Sequence, residues 1–75
     1  MLLFDGKFEG IVCSDLERDG VYLEVGEINN PVNVILEIFY SDITNKFSVT
    51  LLKESVDLEL IEEAIKIAKQ RLVHG

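Results

Sequence analysis

The segment from Val32 to Ser41 constrains the fold most strongly, because its residues alternate in character with a period of two. Successive side chains of a β-strand point to opposite faces, so this period predicts a strand with two different faces. One face is purely apolar and carries Val32, Val34, Leu36, Ile38 and Tyr40. The other face is mixed and carries Asn33, Ile35, Glu37, Phe39 and Ser41. Glu37 is therefore predicted to point away from the core instead of being a buried catalytic carboxylate.

Three neighbouring segments also have the composition of strands. Residues 7–14 and 20–28 are rich in apolar and β-branched residues, and Asp19-Gly20 between them is a hairpin signal. Asn29, Asn30 and Pro31 then supply turn residues. A loop over 26–31 would place Val25 opposite Val32 and Leu23 opposite Val34. A loop over 42–45 would place Tyr40 opposite Phe47, Ile38 opposite Val49, Leu36 opposite Leu51 and Glu37 opposite Thr50. Residues 1–4 can add a fifth strand, since Asp5-Gly6 can turn the chain.

After residue 55 the period changes to that of an amphipathic helix, predicted over 56–73 with Ser55 or Asp57 as N-cap. The apolar stripe is formed by Leu58, Ile61, Ile65, Ala68 and Leu72, and it is widened by Leu60, Ala64 and Ile67. A wide helical stripe and an apolar sheet face can cover each other. The predicted fold is α+β: one domain over 1–75, an antiparallel meander of four to five strands, and one C-terminal helix packed on one face.

The charge distribution limits the classes of ligand. The formal net charge is −7, and residues 1–30 hold seven acidic residues against two basic ones. This acidic excess disfavours nucleic acids and anionic membranes and would attract a basic protein, although solubility alone also explains it. The single cysteine, Cys13, and a start without a basic, apolar leader predict a protein of the cytoplasm.

No catalytic or cofactor motif is recognisable in the sequence, so neither an enzyme nor a cofactor is predicted. Residues 15–20 partly imitate a calcium loop, but Glu17 stands at its third position and Gly26 at its twelfth, where a bidentate carboxylate is needed. His74, the only histidine, is predicted to lie at a solvated helix end, and no metal site is expected. A carboxylate enzyme remains an alternative that requires a concave pocket around Glu24 and Glu37.

The mixed face of the predicted sheet is the candidate partner-binding surface. It combines apolar and acidic side chains, which is the usual anatomy of an interface with an apolar anchor and a charged rim. The candidate residues are Tyr22, Glu24, Ile35, Glu37 and Phe39, with Asp15 and Glu17 added by a two-residue Asp19-Gly20 turn. That turn would also set Asp15 opposite Glu24, which is unfavourable. The alternative is an ordinary solvated sheet face.

The segment "GVYLEVGEINNPVNVILEI", residues 20–38, resembles small bacterial immunity proteins of polymorphic toxin systems. In that family an Asn-Pro turn is typically followed by Gly and Trp, where this chain has Val32 and Asn33, so no functional residue is carried over. The resemblance implies binding and neutralisation of a toxin. The predicted function is a small acidic protein-binding module, an immunity or antitoxin-type inhibitor of a basic partner. The alternative is a non-catalytic structural or accessory homodimer, joined through the mixed face or an exposed edge strand.

Overall fold

A computed structural model describes residues 1–73, apart from the side chain of Pro31; His74, and with it its predicted role, lies outside the described residues. The chain forms five strands and then one helix: β1 (Leu2–Leu3), β2 (Phe8–Asp15), β3 (Gly20–Glu27), β4 (Asn30–Ser41), β5 (Phe47–Leu51) and α1 (Leu58–Arg71). All neighbouring strands are antiparallel, and their order in the sheet is their order in the chain. The predicted α+β meander with a C-terminal helix is confirmed, and β1 supplies the fifth strand.

The core lies between α1 and one face of the sheet. Its buried residues are Leu3, Leu23, Val25, Ile35, Leu36, Ile38, Leu60, Ala64, Ala68 and Leu72. Burial of one such leucine stabilises the fold by about 1.5–3 kcal/mol. The centre of the helical stripe is formed by Leu60, Ala64, Ala68 and Leu72, whereas Leu58 is 65% exposed, so its predicted place in the core stripe is wrong. The carboxylate of Glu63 accepts a hydrogen bond from the Phe4 amide at 3.1 Å and fastens the helix to the chain after β1.

The pairing of β4 with β5 agrees with the prediction. Tyr40 pairs with Phe47, Ile38 with Val49, Leu36 with Leu51 and Glu37 with Thr50. The Ser41 hydroxyl accepts hydrogen bonds from the amides of Ile43 and Thr44, both at 3.2 Å, and so shapes the intervening turn. Glu37 lies on the face opposite the helix, as the alternation predicts.

The predicted pairing of β3 with β4 is wrong, because β4 contains residues that have no partner on β3. Glu27 pairs with Asn30, but Gly26 pairs with Val34 and Val25 with Leu36, so 31–33 and Ile35 are inserted. The inserted residues shift the register by an even number of positions, which keeps Leu36 and Ile38 on the core face. The bulge at Ile35 turns this side chain to the core side, where it is 3% exposed, so its predicted position on the mixed face is wrong. Val32, predicted for the core, is 88% exposed.

The first hairpin differs from the predicted two-residue Asp19-Gly20 turn. Asp15 pairs with Gly20, and residues 16–19 form the turn. Oδ1 of Asp15 accepts hydrogen bonds from the amides of Glu17 and Arg18 at 3.1 Å, which closes a four-residue turn between Asp15 and Gly20. Asp19 adopts the left-handed conformation with φ of 50°. Asp15 therefore does not face Glu24, and the unfavourable pair expected from the sequence does not form.

A candidate protein-binding surface on the outer face of the sheet

The outer face of the sheet, opposite α1, is ordered in three rows of residues. Paired residues of neighbouring strands project on the same side, so the registers define the rows directly. The first row is Ile11, Glu24, Glu37 and Thr50; the second is Cys13, Tyr22, Phe39 and Ser48; the third begins with Asp15, Gly20 and Ser41. The aromatic row thus lies between two rows that carry carboxylates.

Arg18 extends from the β2–β3 turn onto this face, where it contacts two carboxylates and an aromatic ring. Its Cζ lies 4.2 Å from the centroid of the Phe39 ring, a cation–π arrangement. Its Nη1 lies 3.0 Å from Oε1 of Glu37, and its Nε donates a hydrogen bond to Oδ2 of Asp15 at 2.5 Å. We call these four residues, Asp15, Arg18, Glu37 and Phe39, the Arg18 clamp. They place a guanidinium over an aromatic ring and between two carboxylates.

Gly20 provides the space that the Arg18 clamp needs. A Cβ atom at this position would lie 2.2 Å from the Tyr40 carbonyl oxygen and 2.6 Å from two carbons of the Phe39 ring. The Phe39 ring therefore rests directly on the backbone of β3. Any larger residue would displace the ring or separate the two central strands.

The ionised side chains of the Arg18 clamp stabilise each other's charged forms. The hydrogen bond from the Arg18 side chain lowers the pKa of Asp15 below its usual value of 3.8. The same hydrogen bond, followed by that to Glu37, raises the pKa of the Arg18 guanidinium above its already high usual value. Asp15 and Arg18 are consequently ionised at neutral pH, and the guanidinium presents a fixed positive charge on an otherwise acidic surface.

Glu24 and Glu37 form a pair of like charges across the centre of the outer face. They are directly opposite each other on β3 and β4. Arg18 reaches Glu37, but Glu24 takes part in none of the ion pairs formed within residues 1–73. Like charges opposite each other destabilise a sheet. A cation placed over Glu24 from outside would remove this repulsion.

Tyr22 occupies the middle of the aromatic row and is only half-buried. Its interaction with the neighbouring Cys13 side chain, together with partial desolvation, raises its pKa above the usual 10.0. Tyr22 is therefore neutral at physiological pH, with a hydroxyl that can donate a hydrogen bond. Ile11, in the row next to it, is exposed and adds an aliphatic contact.

Most residues that the sequence proposed for this surface come together on it. Asp15, Tyr22, Glu24, Glu37 and Phe39 share the outer face, and Glu17 lies in the exposed turn at its end. Ile35 is the exception, because its side chain belongs to the core.

Sequence reasoning missed three residues of this surface: Arg18, Ile11 and Cys13. For Arg18 a signal was available in the sequence, because Asp15 precedes it by three residues next to a turn. The alternation of β2 places Ile11 opposite Glu24 and Cys13 opposite Tyr22 once the register of the hairpin is known.

Two concave regions of the described chain lie away from the outer face. A cleft of about 350 Å³ lies between Lys7, the β3–β4 turn and the start of α1, and a groove of about 230 Å³ separates α1 from β5. A carboxylate enzyme would require a pocket around Glu24 and Glu37, and neither residue lines either of these two regions. Within residues 1–73, no group of three or more His, Cys, Asp or Glu residues is arranged to hold a metal ion.

The fold and this surface define an α+β protein that presents a mixed aromatic and acidic sheet face. Comparison of the chain with models of protein families, with curated proteins and with solved structures gave no significant match. Among residues 1–73 there is no helix with the length and apolar character that crossing a membrane requires.

Proposed function

We propose that this chain is a small acidic protein-binding module and that its outer face binds a basic partner protein. The observation that carries the proposal is the Glu24–Glu37 pair, two carboxylates directly opposite each other of which Arg18 contacts only one. A lysine or arginine of a partner, placed over Glu24, would lie between Ile11 and Tyr22. It would give Glu24 the cationic partner that Arg18 already gives Glu37.

The Arg18 clamp supports this choice of partner chemistry. The chain itself holds a guanidinium on this face by stacking it on Phe39 and pairing it with Asp15 and Glu37. The ring centroid of Tyr22 lies 5.8 Å from the Arg18 Cζ and adds a second ring, and Glu24 adds a second carboxylate opposite Glu37. Arginine and aromatic residues are enriched among the residues that dominate binding energies at interfaces. The surface thus has the groups that recognise an arginine-rich patch.

The acidic turns at one end of the sheet extend the surface. The amide of Asp42 donates a hydrogen bond to the carbonyl of Asp19 at 2.9 Å, which brings the β2–β3 and β4–β5 turns together. Glu17, Asp19 and Asp42 are exposed there. Exposed carboxylates around an apolar centre accelerate association with a basic partner, and the acceleration decreases with salt.

Inhibition of a toxin in the bacterial cytoplasm is the more specific form of the proposal. It is supported by the resemblance of residues 20–38 to immunity proteins. Its test is co-expression: a captured basic partner that arrests growth when expressed alone should be tolerated when this chain is co-expressed. A captured partner that is harmless when expressed alone would contradict inhibition and leave the binding proposal intact.

Charge reversal at two matched positions tests the binding proposal. Glu24→Lys changes the outer face, and Glu62→Lys makes the same change of net charge on the exposed side of α1. The wild-type protein and both variants are immobilised, incubated with cell lysate and chemically cross-linked to the proteins that bind them. The retained proteins are then compared among the three samples. We expect that the wild type and the Glu62 variant retain the same basic proteins, and that the Glu24 variant does not retain them. Their affinity should fall between about 50 and about 300 mM salt. Equal retention by all three, or no retained protein, contradicts the proposal.

A homodimeric structural or accessory protein is the second candidate. The observation that favours it is the uncovered edge of the sheet at β5, which pairs with β4 on one side only.

A further inference from the structure

The β5 edge of the sheet lacks the features that usually prevent strand pairing between molecules. β1, the strand at the other edge, has only two residues, whereas β5 has five and contains no charged residue, proline or glycine. Monomeric proteins normally protect an edge with short strands, charges, prolines or bulges. The edge at β1 is protected by its shortness, and the edge at β5 has no equivalent protection.

The free backbone groups of β5 can be identified from the ladder. The Ser41 amide donates a hydrogen bond to the Lys46 carbonyl at 3.1 Å, and the Leu52 amide donates one to the Ile35 carbonyl at 2.9 Å. In an antiparallel ladder every second residue bonds to the neighbouring strand, so the even-numbered residues of β5 bond to β4. The N–H and C=O groups of Phe47, Val49 and Leu51 consequently point away from the sheet.

The side chains of the same three residues lie on the helix side of the sheet. α1 contacts mainly β1, β3 and β4, and it leaves Val49 44% and Leu51 47% exposed. Between β5 and the helix runs an apolar groove of about 230 Å³, lined by Ile38, Phe47, Val49, Ile65, Ala68 and Lys69. Free backbone groups and exposed apolar side chains thus occur at the same edge.

We propose that β5 pairs antiparallel with β5 of a second copy of this chain, about a two-fold axis at Val49. In this register Val49 faces Val49 of the second copy, and Phe47 faces Leu51 of the second copy. Each of the three pairs so formed is a hydrogen-bonded pair with two bonds, because all three residues have free outward-pointing groups. The two sheets become one, and the half-exposed apolar side chains of both copies adjoin each other.

The side chains around this axis support a second copy as the occupant. On the outer face Ser48 faces Thr50 of the second copy, a favourable cross-strand pair of hydroxyl residues. Within 45–53 no charge faces a like charge: Lys46 faces a leucine and Lys53 faces an asparagine. The strand is therefore self-complementary about Val49 in its backbone groups and its apolar residues, and no like charges oppose this pairing within 45–53.

The interface is small, which sets the expected strength of association. Five residues span about 17 Å of edge. A contact of this length is at the low end of specific interfaces, so the expected dissociation constant is in the micromolar range or weaker. The proposal concerns a different surface from the outer face and does not depend on partner binding there; it specifies the interface of the second candidate, the homodimer.

Sedimentation of wild-type protein over a dilution series from about 1 to about 500 µM tests the proposal. We expect the mass to rise from 8.5 kDa toward twice that value. Val49→Lys places a charge at the centre of the axis and should abolish the rise. Val32→Lys, the same substitution at an exposed valine of β4 that lies outside the β5 edge, is the matched control and should change the dissociation constant less than about tenfold.

Amide hydrogen exchange of the wild-type protein gives a second readout that needs no variant. The amides of Phe47, Val49 and Leu51 should become protected with increasing concentration, while those of Ser48 and Thr50 should not change. A monomer at all concentrations, a dimer that survives Val49→Lys, or assembly beyond a dimer would overturn the proposal. Glu24→Lys should leave dimerisation intact, so the failure of this proposal and that of the proposed function can be told apart.

Discussion

Replacement of Gly20 by alanine is expected to destabilise the protein severely, because the new methyl group has no space. Its Cβ would lie 2.2 Å from the Tyr40 carbonyl oxygen, whereas non-bonded heavy atoms approach to roughly 3.5 Å. The obstructing atom belongs to the backbone of a central strand, so β3 and β4 must separate by about 1 Å to admit it. Overpacking typically costs about 1–3 kcal/mol, and a rigid backbone obstacle puts this site at the upper end, about 3 kcal/mol.

A loss of about 3 kcal/mol would be a large part of the stability of the whole domain. Native domains are stable by about 0.05–0.15 kcal/mol per residue, which gives roughly 4–11 kcal/mol for a chain of 75 residues. In thermal unfolding the midpoint should fall by about 12–24 °C, since each kcal/mol shifts it by about 4–8 °C at this size.

Urea denaturation followed by circular dichroism measures the effect directly. The midpoint should fall while the slope stays close to that of the wild type, since the unfolded chain exposes the same surface. Ser48→Ala, on the exposed part of the same face, is the control and should change stability by less than about 0.5 kcal/mol. A loss below about 0.5 kcal/mol for the Gly20 variant would refute the close approach of the two strands on which the Arg18 clamp depends.

Three further predictions concern titration and packing. In a variant whose other tyrosine is replaced by phenylalanine, spectrophotometric titration should give Tyr22 a pKa above 10.0, and Cys13→Ala should lower it; an unchanged value contradicts the contact. Lys53 lowers the pKa of Glu27 below 4.5, so this pair stabilises the fold above that pH and its contribution is lost as the pH falls through the folded-state pKa. The difference in urea midpoint between wild type and Lys53→Met should accordingly shrink below about pH 4; a constant difference contradicts the ion pair. Leu36→Ala should cost about 2–5 kcal/mol, because the side chain is fully buried, and a urea midpoint close to that of wild type would place it outside the core.

The sequence predicted the sheet where local patterns determine the structure. The alternation in β4 assigned Leu36 and Ile38 to the core and Glu37 to the other face, and the turn before β5 set the register of the last pair. Period and turn composition act over a few residues, so they can be recognised without knowledge of the tertiary fold.

The incorrect predictions concern features that depend on contacts between distant residues. The bulge that moves Ile35 into the core depends on how β4 passes Gly26 and on the space beneath Leu60, neither of which alternation encodes. The helix was correctly predicted to be amphipathic, but the face that it turns toward the sheet is rotated relative to the predicted one. Two small residues, Ala64 and Ala68, pack against the sheet, and Leu58 in the first turn remains exposed.

The candidate surface was likewise predicted in part. Alternation placed the acidic and aromatic residues on one face, since each strand could be assigned a face separately. The position of Arg18 depends on the four-residue turn that Asp15 closes, and the two-residue turn suggested by Asp19-Gly20 would have directed Arg18 elsewhere. A single difference in turn length thus decides whether the outer face holds a guanidinium.

The two proposed surfaces have a joint consequence for affinity. β5 pairing continues the sheet, so the outer faces of both copies would lie on the same side of one larger sheet, with Ser48 and Thr50 at the junction. Glu24 of each copy would then be held in a fixed geometry relative to the other. A partner with two basic patches would bind the second outer face at a high effective concentration and gain affinity without any new contact. Loss of dimerisation through Val49→Lys should weaken binding of such a bivalent partner and leave a monovalent one unaffected. This difference would connect the sheet edge to the proposed partner binding by the outer face.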